Sequence, residues 1–280
     1  MMSDGFFGFG ALPADLAARI IADEVGLEFG VHGDFRLRCA MQPIFRHEQG
    51  RLTPVAADAQ VVPYLKGQPV AMPEFLAGVA AEDRAIVGRM IEVLPLANVY
   101  NIGVEGISLL FRHDGRGGSE AMADLRFMVQ RLVDEGFDVS QLICEIDGVD
   151  ENLAYALRGL GLRVALGHHG AGQPDAHAAA RVKADIARLD RASFERFCAD
   201  AATGRLLRPV VSEFKAQGVS VLVEGIDSES RLEIALGAGV DLFQGDLLEP
   251  AMLVGSVFAD GPREMSQYRR GACVVVPLFG

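Results

Sequence analysis

The chain has 280 residues, half of them apolar, with a formal net charge of -12 at pH 7. That is enough for one large domain or two modest ones, and the acidic balance repels a phosphate backbone, which excludes general nucleic-acid binding. No apolar run approaches the length of a membrane span, and the first ten residues lack the basic stretch of a secretory leader.

Taken in chain order, residues 1–11 read as a flexible Phe/Gly-rich arm in which Phe6-Phe7-Gly8-Phe9 is either a partner-binding hook or a segment packed on its own domain. Leu12–Phe29 has apolar residues at helical spacing, with Pro13 and Asp15 suited to the first turn. The spacing predicts a helix within residues 12–34, docked through Leu16, Ile20 and Val25. Beyond Asp34, short β-prone runs alternate with helical ones. Strands are expected at Phe35–Ile44, Ala97–Val104, Leu142–Ile146, Arg163–Leu166, Ala187–Asp190, Val219–Val223 and Leu242–Phe243, with a weaker one within Pro54–Tyr64. Helices are expected near Pro73–Leu94, Ser119–Glu135, Glu151–Leu160, Ala192–Gln217 and Ser228–Leu236. Such alternation argues for an α/β protein with a mainly parallel sheet. About eight strands at this length fit a (β/α)8 barrel over residues 35–255, with an irregular first strand and a C-terminal extension over 256–280. The extension ends in an apolar stretch, 274–279, that would add a β segment. Cys39, Cys144, Cys198 and Cys273 lie far apart with no C-x-x-C pair, and a reducing cytoplasm is the expected setting.

A barrel of this kind keeps its chemistry at the C-terminal ends of its strands. Those positions hold Gln42, Asn101, Glu145, His168, Asp190, Glu224 and Gln244. Each alone is ordinary for a strand end, but together they make a carboxylate and amide rim suited to a hard cation and an anionic ligand. The Gly-rich stretch from His113 to Ser119 precedes a helix but lacks the Lys-Ser/Thr of a phosphate-binding loop. A loop ending in a Ser N-cap explains it. His168 and His169 are adjacent on an extended loop, where successive side chains point apart, so a metal held by both is not expected.

The order of these residues resembles one family. Met41-Gln42-Pro43-Ile44 is similar to the Y-Q-P-I opening of EAL domains, and Pro73-Glu74-Phe75-Leu76 to the segment after their signature. Val99-Tyr100-Asn101 resembles the strand ending V-N-L-S, and Leu142-Ile143-Cys144-Glu145-Ile146 resembles L-x-L-E-I. Gly161 to Leu166 resembles the approach to D-D-F-G, and Leu189 to Phe194 the L-K-I-D stretch. Val223-Glu224-Gly225-Ile226-Asp227 resembles A-E-G-V-E, and Phe243-Gln244-Gly245 through Pro250 the closing V-Q-G. The matches stay in register over residues 35–251.

The resemblance implies hydrolysis of cyclic di-GMP with two Mg2+ or Mn2+ ions, which generate a hydroxide and neutralise charge developing on the phosphate. It also implies that Asn101 and Glu145 stand where metal ligands belong and Glu224 where the general base belongs. Gln42, Asn101, Glu145, Asp190, Glu224 and Gln244 are then the ligand-binding candidates. Other positions depart from the pattern. The signature falls on Ala56-Ala57-Asp58, so Ala56 replaces its Glu and Asp58 its Leu, and the following arginine becomes Gln60. The Asp pair becomes Gly167-His168, the next aromatic His169, and the basic residue of the L-K-I-D stretch Arg188. A loss of about 4 kcal/mol of charge stabilisation slows chemistry roughly a thousandfold.

Neither catalysis nor a bound metal cofactor is therefore expected, and Asn101, Glu145 and Glu224 would be vestiges. Three functions stand on these residues: an inactive regulator in bacterial signalling that acts through a protein partner, a receptor that binds cyclic di-GMP without cleaving it, and a phosphodiesterase with an altered metal site. The first is favoured, because Asp58, Gln60 and His169 each remove a feature that would help hold the dinucleotide. Self-association as a homodimer is left open.

Overall fold

The computed structural model describes residues 12–102, 106–113, 118–167, 175–256 and 261–268. The Phe-rich arm, the centre of the Gly-rich loop, His168, His169, Cys273 and the apolar tail all lie outside them. Among the described residues no helix is long and apolar enough to cross a membrane.

The N-terminal segment departs from the helical expectation. Only Ala14–Ala17 (α1) is helical; Ile20–Ala22 (β1) then pairs antiparallel with Glu28–His32 (β2), Ile20 opposite Gly30. Local chemistry overrides the helical spacing here. The β-branched pair Ile20-Ile21 favours a strand. Asp23 Oδ1 accepts the Val25 and Leu27 amides, and Gly26 takes φ +84°, which turns the chain back on itself. Leu16 and Ile20 are buried as expected, whereas Val25 at the turn is 77% exposed.

Phe35–Glu48 (β3) and Arg51–Leu65 (β4) form a long antiparallel hairpin, with Gln68–Pro69 (β5) beside the end of β4. Met72–Gly78 (α2) and Arg84–Ala97 (α3) follow, divided by a short 3-10 turn where one helix was expected. Then come Ser108–His113 (β6), Ala121–Asp134 (α4), Leu142–Asp147 (β7), Glu151–Gly159 (α5), Arg163–Gly167 (β8), Ala176–Arg181 (α6) and Ile186–Leu189 (β9). Arg191–Cys198 (α7) and Ala201–Ala216 (α8) again divide one expected helix. Ser220–Val223 (β10), Glu229–Ala238 (α9), Leu242–Phe243 (β11), Met252–Leu253 (β12) and Arg263–Glu264 (β13) complete the order.

Eight of these strands close a barrel. From β4 the order runs β6, β7, β8, β9, β10 and β11 in parallel, and β3 closes the ring antiparallel to both β11 and β4. The irregular first strand is thus β3, which runs against all its neighbours. The upper halves of β3 and β4 leave the ring and carry β1 and β2 as an antiparallel flap. A strand at Ala97–Val104 does not form. Residues 84–97 are helix, and Val99–Asn101 is a 3-10 turn. Asn98 fixes this helix end: its buried amide accepts the Glu28 N–H and donates to the carbonyls of Glu28 and Leu94. The missing barrel strand is β6.

Two apolar layers result. The larger lies between the barrel and its helices, with Phe75, Phe111, Phe194 and Phe214 fully buried. The smaller fills the barrel with one side chain from each strand: Ile44, Ala56, Leu110, Ile143, Ala165, Ile186, Leu222 and Leu242. Outside the barrel, the buried Arg89 of α3 ties three elements together by donating to Asp124 of α4, to Glu120 just before it, and to Asp15 of α1. Cys39, Cys144 and Cys198 are free thiols. Burial, aided by Asp58, pushes Cys39 up to about 12, so it is inert at neutral pH.

Glu28 gives the fold a pH dependence. It is buried in β2 beneath Asn98, its Oε2 has no hydrogen-bond partner, and burial pushes its pKa from 4.5 up to about 7. A carboxyl raised on folding contributes fully below its unfolded pKa, and that contribution falls as pH rises toward 7. Glu28→Gln should therefore stabilise the protein by about 3 kcal/mol more at pH 8 than at pH 4.5. Urea denaturation at the two pH values checks this, and a gap that does not change with pH would contradict it.

Candidate functional site

Side chains alternate along a strand, so the residue two positions beyond each member of the inner layer points into the barrel at its mouth. On the antiparallel β3 this means two positions earlier. The rule yields Gln42, Asp58, Arg112, Glu145, Gly167, Arg188, Glu224 and Gln244. Four sequence candidates, Gln42, Glu145, Glu224 and Gln244, thus converge on one rim.

Arg188 stands at its centre, 4% exposed. Its guanidinium donates from Nη2 to Asp58 Oδ2 at 2.7 Å and from Nη1 to Asp58 Oδ1 at 3.3 Å, a two-pronged pair. Nη1 also donates to Glu145 Oε2 at 2.7 Å, and Nη2 lies 3.2 Å from Glu224 Oε2. Burial works against the charge on Arg188, but Asp58, Glu145 and Glu224 more than offset it and hold its pKa well above the ordinary value. Arg112 adds a second cation, 3.3 Å from Glu145 Oε1. The amides complete the ring: Gln244 Nε2 donates to Asp58 Oδ2 at 2.9 Å and to Gln42 Oε1 at 3.0 Å, and Gln42 Nε2 donates to Asp246 and to the Glu249 carbonyl.

Two glycines shape this arrangement. A Cβ on Gly245 would collide with the backbone of Ile226, which is held against the 244–245 turn by the Ile226 N–H to Gln244 carbonyl bond. A Cβ on Gly167 would strike Glu145 Oε1 and crowd Asp147. The Glu145 carboxylate thus takes the space that a side chain at 167 would need.

The other candidates are placed differently. Asn101 is on the turn after α3, before β6 begins, and is bonded to Asn98 and the Gly26 carbonyl. The rim position of that strand belongs to Arg112. Asp190 caps α7, its carboxylate accepting the Ser193 amide. The signature register also moves. Ala56 belongs to the inner apolar layer and Asp58 to the rim, so Asp58 and not Ala56 stands where a signature carboxylate would reach the mouth. Gln60 lies one step further out, 3.4 Å from Asp58. Arg112 and Glu92 were not singled out from the sequence. The alternation Ser108-Leu109-Leu110-Phe111-Arg112 carried the signal for the first, hidden by the misplaced strand.

Beside the rim, under α2 and α3, a cleft of about 290 Å³ is lined by Asp58, Gln60, Met72, Ile91, Glu92, Pro95, Arg112, Glu145, Arg188 and Glu224, among others. Among the described residues, no three His, Cys, Asp or Glu side chains are grouped so as to hold a metal ion.

Residues 118–251 match the family model for the EAL domain. Among solved structures, the chain is similar to the EAL domain of Xanthomonas citri FimX in complex with c-di-GMP, at 16% identity and TM-score 0.67, covering 81% of this chain and 91% of that one. A standalone EAL protein from Vibrio cholerae O395, in its c-di-GMP-bound form, matches at 17% identity and TM-score 0.65 over 82% of this chain and 98% of that one. The Bacillus subtilis YkuI protein, with an EAL domain and solved with c-di-GMP and calcium, matches at 16% identity and TM-score 0.65. There the match covers 81% of this chain but 57% of the YkuI chain, so the chain spans little more than half of that protein. No curated protein sequence matches. The barrel is EAL-like in fold and over the matched segment in sequence.

Removing the central cation should expose how much the rim depends on it. Arg188→Met leaves buried carboxylates facing one another without their partner, a loss that typically costs about 3–5 kcal/mol. The expected result in urea at pH 7 is destabilisation of that size, shrinking as pH falls and the carboxylates take up protons. Loss below about 1 kcal/mol would show that the cluster is solvated and not a structural charge pair.

Proposed function

We propose that this EAL-like barrel is a regulatory protein of bacterial signalling that does not hydrolyse cyclic di-GMP and acts through contacts with a protein partner. One observation carries the reading: the guanidinium of Arg188 sits among Asp58, Glu145 and Glu224 at the centre of the mouth. Two-metal hydrolysis needs carboxylate oxygens at that place to hold the ions. Here the oxygens of Asp58 and Glu145 accept hydrogen bonds from a buried arginine, with Glu224 ion-paired to it, and that arginine cannot give up its proton at any ordinary pH. Gly167 brings no carboxylate to the rim and Arg112 brings a second cation, so the residues present do not fit a metal pair. Glu224 is the vestige of the base position, engaged with Arg188 and without a metal-bound water to deprotonate.

The same geometry weighs against a dinucleotide receptor. An anionic ligand would approach carboxylates whose balancing cations are already engaged, and burying such charge is costly. The neighbours from Xanthomonas citri, Vibrio cholerae and Bacillus subtilis hold c-di-GMP, which makes it the ligand to test first. A cytoplasmic site of action belongs to the same proposal.

Incubation of the purified protein with cyclic di-GMP and Mg2+ or Mn2+, followed by chromatography of the nucleotides, should give no linear product above background. Calorimetry with the same ligand should give no binding heat. Turnover that disappears in Glu224→Gln would overturn the proposal and make the chain an enzyme. Binding without turnover would replace the protein-contact reading with the receptor.

A further inference from the structure

We infer that the β1–β2 hairpin is a proton-controlled latch, closed on the body while Glu28 is neutral and loosened when Glu28 ionises. The latch lies on the flap and is independent of the chemistry of the mouth. Among the described strands, β1 stands at the end of the sheet beside β2, and β2 pairs with the flap end of β3 at residues 35–38. A polar clamp fixes this peripheral hairpin to α3 at residue 28. The Asn98 side chain, fully buried at the end of α3, accepts the Glu28 N–H at 3.0 Å and donates to the Glu28 carbonyl at 2.9 Å. Two residues on, Gly30 fits against Leu37 and Leu94, where a Cβ would come within 3.2 and 3.3 Å of their side chains.

The side chain of the clamped residue makes the clamp sensitive to protons. The Glu28 carboxyl is 4% exposed, and its Oε2 has no hydrogen-bond partner among the described residues. An unpaired carboxylate is costly to bury, so the neutral acid is the form this place accepts. The surrounding groups do not reverse this. Arg131 of α4 favours the charge, but it is ion-paired at 2.9 Å with Glu135, which opposes it. Tyr100, on the turn after α3, hydrogen-bonds to the same Glu135. Asp23, Arg38 and Cys39 line a small cavity of about 80 Å³ beside Glu28. Of these, Asp23 accepts the Val25 and Leu27 amides, Arg38 lies over the Tyr64 ring and Cys39 keeps its proton. His32, on the same face of β2, meets Phe75 edge-on. Burial thus carries the carboxyl from 4.5 up to about 7. The hairpin is held most firmly below its unfolded pKa, and the hold weakens as pH rises through about 7. Opening returns the charge to water and uncovers Leu37 and Leu94.

Amide hydrogen exchange of the full chain, followed by NMR from pH 5 to pH 8 and corrected for the intrinsic base-catalysed rate, tests the latch. The reporters are the Asp23, Glu28 and Val31 amides, bonded to the Leu27 carbonyl, the Asn98 side chain and the Arg19 carbonyl. Their protection should fall about seventyfold between the two pH values, levelling off above about 7. At each pH it should stay well below that of the β7 amides, because a latch opens without unfolding the barrel. In Glu28→Gln the same amides should keep nearly constant protection across the range. Three results would each overturn the inference: hairpin protection that ignores pH in the unmodified chain, protection equal to that of β7 throughout, or a pH dependence that survives Glu28→Gln.

Discussion

The buried positive charge of Arg188 is the constraint on which the mouth of the barrel depends. Strand alternation brings Asp58, Glu145 and Glu224 to one height in the barrel, where water is scarce and like charges repel strongly. Three anions cannot share such a place without a cation. Arginine suits it better than lysine would, because its planar fork binds both oxygens of Asp58 while a second edge reaches Glu145. The surrounding amides are then explained by what remains unsatisfied. Gln244 supplies donors to Asp58 and Gln42, and Gln42 passes the chain of bonds to Asp246 and the Glu249 carbonyl.

Arg89 repeats this pattern on the outer side of the barrel. It too is a buried guanidinium among carboxylates, from α1, α4 and the turn before α4. On the same helix as Arg89, Glu92 is buried against His113 of β6, its Oε2 2.5 Å from Nδ1, and the adjacent cleft opens onto Glu224.

The barrel was legible in the sequence because its parallel strands are short apolar runs set between amphipathic helices, and because polar residues interrupt those runs where the strands end. Glu145, Glu224, Gln42 and Gln244 were found in this way. Three features were not. The stretch around Val99 and Tyr100 has strand-like composition, but Asn98 binds the backbone of Glu28 and closes a helix there, which displaced the reading from β6 and hid Arg112. The N-terminal apolar spacing fits a helix, yet the Asp23 side chain and Gly26 impose a turn that spacing does not register. Asp190 follows an apolar run like the true rim residues, but sits where α7 begins and is used as its cap. In each case a side-chain-to-backbone bond decides, and such bonds leave only a faint trace in hydrophobic periodicity.

The rim substitutions are coupled, which is why they have to be weighed as a set. The absent side chain at Gly167 leaves room for the Glu145 carboxylate where it stands. That position lets Glu145 accept from Arg188 and Arg112 together. Arg188 in turn relies on Asp58, whose shorter side chain leaves room for a guanidinium at the centre of the mouth. An aspartate placed at 167 would drive Glu145 from its partners, and a glutamate at Ala56 would enter the apolar layer below the rim instead of the mouth. The inner layer of Ile44, Leu110, Ile143, Ile186, Leu222 and their small neighbours carries the fold regardless of what stands above it. The fold shared with proteins of 16–17% identity and the chemistry of the rim are thus separable. What this chain can do must be argued from its interlocked set of arginines, carboxylates and glycine, and not from the barrel that displays them.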